Sequence, residues 1–224
     1  MLRDLKPSYQ PPNSSSLDVS PNLEVNIILK FIDDNISGFY GYYTTIMDSG
    51  KENRVSDFLV RHFQLCKNEQ GGYFPYDFGK NPTQATSDRE TDIGVVALTR
   101  TSKDTIIEFE AKRFSESSNN KEYVCGERGG IERFKRGHHS SHLIICGMFG
   151  YVQSRSSQEW ITKVNDWIGE KQNNNTDLAI DWTGGEELLI NRNSFAQTEK
   201  LFSKHIRKQS NDSISLWHYF IDLK

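Results

Sequence analysis

The sequence predicts an α/β (α+β) fold, a central mixed β-sheet flanked by helices, on three observations. Apolar residues recur with helical spacing in some stretches and with the two-residue period of strands in others, and the two kinds alternate along the chain as they do in a layered domain. The length of 224 residues suits one domain with a real core and leaves little for a second. Aromatic residues make up 12% of the chain and the formal net charge is only −3, a composition suited to burial and not to disorder.

Met1 to Asn22 reads as a flexible tail, because Pro, Ser and Asn dominate Pro7 to Pro21 without a period. A single domain is expected from 23 to 224. Val25, Ile28, Leu29 and Ile32 make a helix that starts at Leu23 and ends near Ser37-Gly38. An aromatic loop (Phe39, Tyr40, Tyr42, Tyr43) leads to a second helix from Lys51 to Cys66. Gly71 to Pro82 reads as a turn-rich connector. Strands are expected at Thr91 to Thr99 and Thr105 to Phe114, joined by a turn at Thr101 to Asp104. A polar loop at Ser115 to Asn120 is followed by a short helix from Gly129 to about Arg136 and a buried strand from His142 to Gln153. Ser157 to Lys171 is helical, with Trp160, Val164, Trp167 and Ile168 on one stripe, and a polar loop runs on to Thr176. Leu178 to Asp181 and Ile214 to Leu223 read as short strands around a helical stretch near Phe195 to Ile206.

Several function classes drop out at this stage. No apolar run approaches the roughly 20 residues of a membrane span, and the N-terminus lacks the apolar core of a secretory signal, so a cytoplasmic location is expected. Cys66, Cys125 and Cys146 are too few and too far apart for a disulfide framework. Cys125, His138 and His142 imitate half of a zinc-finger spacing but lack a fourth ligand. There is no Walker loop, GxGxxG or Ser-His-Asp arrangement.

The informative segment is Ile106 to Phe114. Ile107, Phe109 and Ala111 face one way along the strand, and Glu108, Glu110 and Lys112 face the other. Asp92 lies upstream, across a hairpin-length gap. A loop centred on Ser102 would pair Asp92 with Lys112 and gather Asp92, Glu110 and Lys112 on one face, whereas a register one residue different would send Asp92 to the opposite face. An odd-length loop or a β-bulge is therefore required if the three are to meet. Glu52, in the capping-box pattern Ser49-Gly50-Lys51-Glu52, either bonds back to its helix N-terminus or heads the inward stripe of Val55, Leu59, Phe63 and Cys66. Glu108 reads as solvated or as a supporting neighbour of Glu110.

The spacing Asp92…Glu110-Ala111-Lys112 resembles the active-site motif of the PD-(D/E)XK nuclease superfamily, with Thr91 in place of the proline that often precedes the aspartate. The resemblance covers about 51–153 and implies a restriction-endonuclease-like core, with the helices and strand of 157–224 appended. It implies Asp92, Glu110 and Ala111 as the positions that hold Mg²⁺ (or Mn²⁺), Lys112 as the residue that positions or activates the attacking water, and Glu52 as a further catalytic carboxylate on the preceding helix. Hard oxygen ligands suit Mg²⁺, which polarises a phosphoryl oxygen and acidifies bound water. By the same resemblance, the expected activity is endonucleolytic cleavage of double-stranded DNA, in restriction or phage defence, by a homodimer or with a partner subunit. The alternative is a catalytically inactive nucleic-acid-binding or assembly module on the same fold.

Lys112 to Arg136 holds seven basic and four acidic residues, a local positive excess within an acidic chain. Gly126, Gly129 and Gly130 precede the short helix, and Arg133, Lys135 and Arg136 are the candidate phosphate contacts.

Overall fold

The computed structural model describes residues 21–46, 50–82, 90–101, 104–126, 129–190 and 194–224. Helices α1 (Pro21–Asn35), α2 (Phe39–Thr44) and α3 (Glu52–Glu69) precede strands β1 (Tyr76–Lys80), β2 (Ile93–Ala97) and β3 (Thr105–Phe114). Then come α4 (Gly130–Lys135), β4 (Ile145–Val152), α5 (Ser157–Asn174), β5 (Leu189–Ile190), β6 (Thr198–Arg207) and β7 (Asp212–Asp222). The chain is a mixed α/β fold, with one seven-stranded sheet in the order β1-β2-β3-β4-β7-β6-β5. The three central strands β3, β4 and β7 run parallel, and antiparallel strands complete both sides.

Two apolar layers sandwich the sheet. On one face α1 and α3 lay Ile28, Ile32, Leu59 and Phe63 against Ile107, Phe109 and Phe149. On the other, α4 and α5 lay Phe134, Trp160 and Val164 against Met148, Leu216 and Phe220. Gly147 is needed beneath this packing: a Cβ there would come within 2.3 Å of the Phe109 ring. Helix α5 starts at a complete capping box, in which Ser156 and Glu159 satisfy each other's backbone amides. Among the described residues, no helix is long and apolar enough to cross a membrane.

Several sequence expectations are corrected. Most of the expected tail, 1–20, lies outside the described residues, and 21 and 22 already open α1. The aromatic loop is helical: Phe39 heads α2 and is buried. The connector at Gly71 to Pro82 contains strand β1, with Tyr76 and Phe78 inward. Leu178 to Asp181 forms no strand, and α5 runs on through the expected polar loop to Asn174.

The largest correction is β6, which occupies most of the stretch expected as a helix near Phe195 to Ile206. Its inward face is mostly polar. Ser203, His205 and Arg207 point inward beside Leu201, while Ile206 is exposed. A pattern search keyed to apolar residues misses such a strand, because three of these four buried positions are polar.

That polar face is satisfied by a continuous network. Glu186 accepts from Nζ of Lys135 and lies 2.7 Å from Nδ1 of His205. Ser203 Oγ stands 2.7 Å from His205 and 2.8 Å from His218, and His218 reaches the Tyr123 hydroxyl at 2.9 Å. Burial holds both histidines below the ordinary imidazole pKa, although Glu186 pulls His205 the other way. Arg207 donates to the carbonyls of Phe134, Ser140 and Leu143, and so ties down the segment between α4 and β4.

Lys135 is thus fully buried, with its ammonium also 4.4 Å from the Trp182 ring, and cannot be the phosphate contact that the sequence suggested. Removing one partner of a buried pair strands the other charge. Lys135→Ala should therefore lower stability by about 3 kcal/mol in chemical denaturation. A loss near zero would show that Glu186 is satisfied without Lys135.

Candidate active site

Three elements meet where β3 leaves the hairpin: the end of β3, the residue before β2, and the first turn of α3. The register decides what meets. Ile93 pairs with Phe109 and Val95 with Ile107, but Val96 pairs with Thr105, so β3 carries one extra residue, Ile106. This bulge is the device the sequence reading required. Continued without it, the register at Val96 would set Asp92 opposite Phe109, on the apolar face. With it, Asp92 stands opposite Glu110. The expected pairing with Lys112 is displaced by two residues, which preserves the face.

Backbone amides then orient two carboxylates. Ala111 N–H donates to Asp92 Oδ2 at 2.7 Å, and Arg113 N–H donates to Glu52 Oε2 at 2.8 Å. Glu52 therefore spends its carboxylate on β3. Lys51, the N-cap of α3, makes no side-chain cap bond, and Ser49 of the expected capping box lies outside the described residues. Lys112 Nζ donates to Glu110 Oε1 at 2.7 Å and to the Ala111 carbonyl at 3.0 Å, and lies 3.6 Å from Glu52 Oε1.

Two further groups come from the α4 side. Arg133 Nη1 donates to the same Glu110 oxygen at 3.3 Å, and the buried His139 brings Nε2 to 3.6 Å from Glu110 Oε2. Arg136 turns away to Asp177 and Glu132. Glu108 is fully buried and not solvated: it accepts from Thr105 Oγ1 and from Ser140 Oγ, each at 2.5 Å. Sequence reasoning missed His139 and Ser140, because a polar turn before a strand carries no periodic signal. Their place depends on Arg207, 64 to 73 residues away along the chain from the carbonyls it holds.

The electrostatics are unequal. Burial and then the neighbouring Glu110 charge push Asp92 up to about 6, against the opposing pull of Lys112 and the Ala111 amide. Burial likewise raises Glu52, with Lys112 offsetting part of the shift. Burial disfavours the Lys112 ammonium, but Glu110, Glu52 and Asp92 together outweigh it and keep the group protonated well past its ordinary range.

Asp92 and Glu110 are hard oxygen donors, and with Glu52 they set three carboxylates against Lys112 and Arg133; in that respect they fit a Mg²⁺ ion, with the Ala111 carbonyl on the same strand. Among the described residues, no group of three or more His, Cys, Asp and Glu side chains forms a ready ligand set. Mg²⁺ commonly takes one or two carboxylates and completes its shell with water and substrate phosphate.

Comparison with known proteins returned no matching family model, no similar curated protein and no similar solved structure.

Because the Asp92 pKa is raised above its unfolded value of 3.8, its contribution to stability is present at low pH and is lost as the pH rises through about 6. Asp92→Asn keeps an acceptor for Ala111 N–H and removes the charge. In metal-free buffer this variant should melt a few degrees above the wild type at about pH 7.5, with the gap closing toward about pH 4. A pH-independent difference would mean that the folded protein does not raise the Asp92 carboxyl above its ordinary range.

Proposed function

We propose that this protein is a metal-dependent nuclease that hydrolyses phosphodiester bonds, with double-stranded DNA as its substrate. The observation that carries the reading is the convergence of Asp92, Glu110, Lys112 and Glu52 at one end of a bulged hairpin. A surface strand that merely happened to be charged would not bury Glu110 and place Lys112 between two carboxylates.

Asp92 and Glu110, with the Ala111 carbonyl, would hold Mg²⁺ or Mn²⁺. The bound ion would polarise the phosphoryl oxygen and acidify a water. The chain's own residues supply the rest. Lys112 is held protonated by three carboxylates, so it serves as a fixed cation beside the phosphate that gains charge in the transition state, and not as a base. Glu52 has the complementary property: a carboxylate whose proton affinity is raised by burial, held by Arg113 N–H, is suited to take the proton of the attacking water. Arg133, on the far side of Glu110, adds a second cation.

Cleavage of both strands would take a homodimer or a partner subunit. A cytoplasmic role in restriction or phage defence belongs to the same reading, by analogy with the superfamily that the motif resembles.

Plasmid DNA incubated with the protein and Mg²⁺ or Mn²⁺ tests the proposal. Wild-type protein should nick or linearise it, and chelation should stop the reaction. Lys112→Ala and Lys112→Arg should each lose at least about a hundredfold in rate, since a planar guanidinium does not reproduce a compact ammonium between two carboxylates. Both should still give a metal-binding heat by calorimetry. Glu52→Gln should lose activity at an unchanged melting temperature. DNA binding without cleavage or metal uptake in the wild type would replace the proposal with the inactive binding module.

A further inference from the structure

Glu52 is the one carboxylate of the candidate site that a helix carries, and a closed ring of hydrogen bonds ties it to the sheet. It lies in the first turn of α3, and its Oε2 accepts from Arg113 N–H near the end of β3. Phe114, the next residue, ends β3. Its carbonyl accepts from the Gln153 backbone N–H at 2.8 Å, which carries the pairing of β3 with β4 one step beyond Val152. The Gln153 side chain then turns to the helix: Nε2 donates to the Gly50 carbonyl at 2.7 Å, between residues 103 apart in the chain. Gly50 stands two residues before Glu52, and the ring is complete.

Both ends of the Gln153 link are shaped for it. Gly50 has a φ of +64°, in the left-handed region that suits glycine, and a Cβ there would come within 2.5 Å of Gln153 Nε2. The Gly50 backbone thus lies directly against the amide that bonds it. At the other end the main chain of Gln153 is held by the sheet, so its side chain starts from a rigid base. Only two members of the ring contribute side chains, Glu52 and Gln153.

The helix as a whole has other anchors. Ser56 Oγ lies 2.9 Å from the Tyr151 hydroxyl, and Val55, Leu59 and Phe63 are fully buried. The first turn is held less firmly, because Lys51 makes no side-chain cap bond. The Glu52 side chain is also 32% exposed, along a cleft of about 520 Å³ that it lines with Lys112, so packing alone does not fix it.

We propose that Gln153 is a positioning residue: it fixes the start of α3 so that Glu52 reaches Arg113 N–H and stands beside Lys112, where it would take the proton of the attacking water. The role in proton transfer rests on the proposed nuclease reading, and the positioning does not.

The test uses the full chain, isotope-labelled at arginine and alanine nitrogen, in chelator-containing buffer. Gln153→Met keeps the volume and removes the donor, and Gln153→Ala removes both. Glu52→Ala marks where the Arg113 amide resonates when no carboxylate accepts from it. The Ala111 amide, which donates to Asp92 at 2.7 Å, is the internal control. Each Gln153 variant should move the Arg113 amide most of the way to its Glu52→Ala position and leave Ala111 in place. Melting temperatures should fall by no more than about 5 °C, the effect of losing one half-buried hydrogen bond in a domain of this size. In cleavage of a DNA duplex, kcat should fall by about a hundredfold with KM within about twofold, because a displaced base slows the chemical step without weakening binding.

An unmoved Arg113 amide overturns the proposal. So does a joint shift of Arg113 and Ala111, which would make Gln153 a general support of the sheet edge. Failure of both variants to fold also overturns it, since the role assigned is local. If the wild type cuts DNA and the Gln153 variants cut at the same rate, the anchor has no part in the chemistry and the proposal falls while the nuclease reading stands. A selective Arg113 shift in a protein whose wild type cuts no DNA sinks the nuclease reading and leaves Gln153 as the anchor of Glu52.

Discussion

One extra residue in β3, Ile106, decides which side of the sheet Asp92 occupies. Because side chains alternate with a strict period of two, a register one residue different would bury an aspartate among Phe109 and its apolar neighbours and leave Glu110 without its companion. The bulge costs local ladder bonding, and the fold tolerates that cost beside the turn. The part of Asp92 in the candidate site follows from it: the Ala111 amide has a carboxylate to meet, Glu110 has a like charge beside it, and Lys112 has one more carboxylate to balance.

The sheet face that carries these groups is polar at its centre and apolar toward α5. Glu108, Glu110, Glu132 and Glu186 are all nearly inaccessible, and each has specific partners: hydroxyls for Glu108, cations for Glu110, Lys171 and a backbone amide for Glu132, Lys135 and His205 for Glu186. Buried charge is tolerable only where the geometry supplies such partners, because an unpaired ion keeps its full desolvation cost. Arg207 is the fastener. By holding four carbonyls from Phe134 to Leu143 it sets the path of the segment that brings Ser140 to Glu108 and His139 to Glu110.

Stability and proposed chemistry pull against each other at Asp92. The apolar layer under α1 and α3 makes a rigid floor, and on it the structure holds a carboxylate pushed up to about 6, so that its charge at neutral pH costs stability. Such a group is a poor choice for stability and a good one for attracting a hard cation. Lys112 shows the reverse balance, a cation secured by surrounding anions. The two together give a site polarised over a few ångströms, with a cleft opening from its Lys112 side.

The layered α/β class, the limits of β3, and the sharing of a face by Glu108, Glu110 and Lys112 are legible in the chain alone, because periodicity along one strand is a local property. The chain also states the condition for Asp92 to join them, an odd loop or a bulge, without saying which is met. The position of the bulge at Ile106, the turn of Glu52 to Arg113 and Lys112 and not to its own helix, and the place of Lys135 in the core come from the assembled fold. The same holds for β6, which is unreadable as a strand until Glu186 and His218 are brought against its inward His205 and Ser203 by other parts of the chain. The reason is common to all four: register, capping choice and buried-charge pairing depend on partners remote in sequence, and a pattern confined to a few neighbouring residues does not record them.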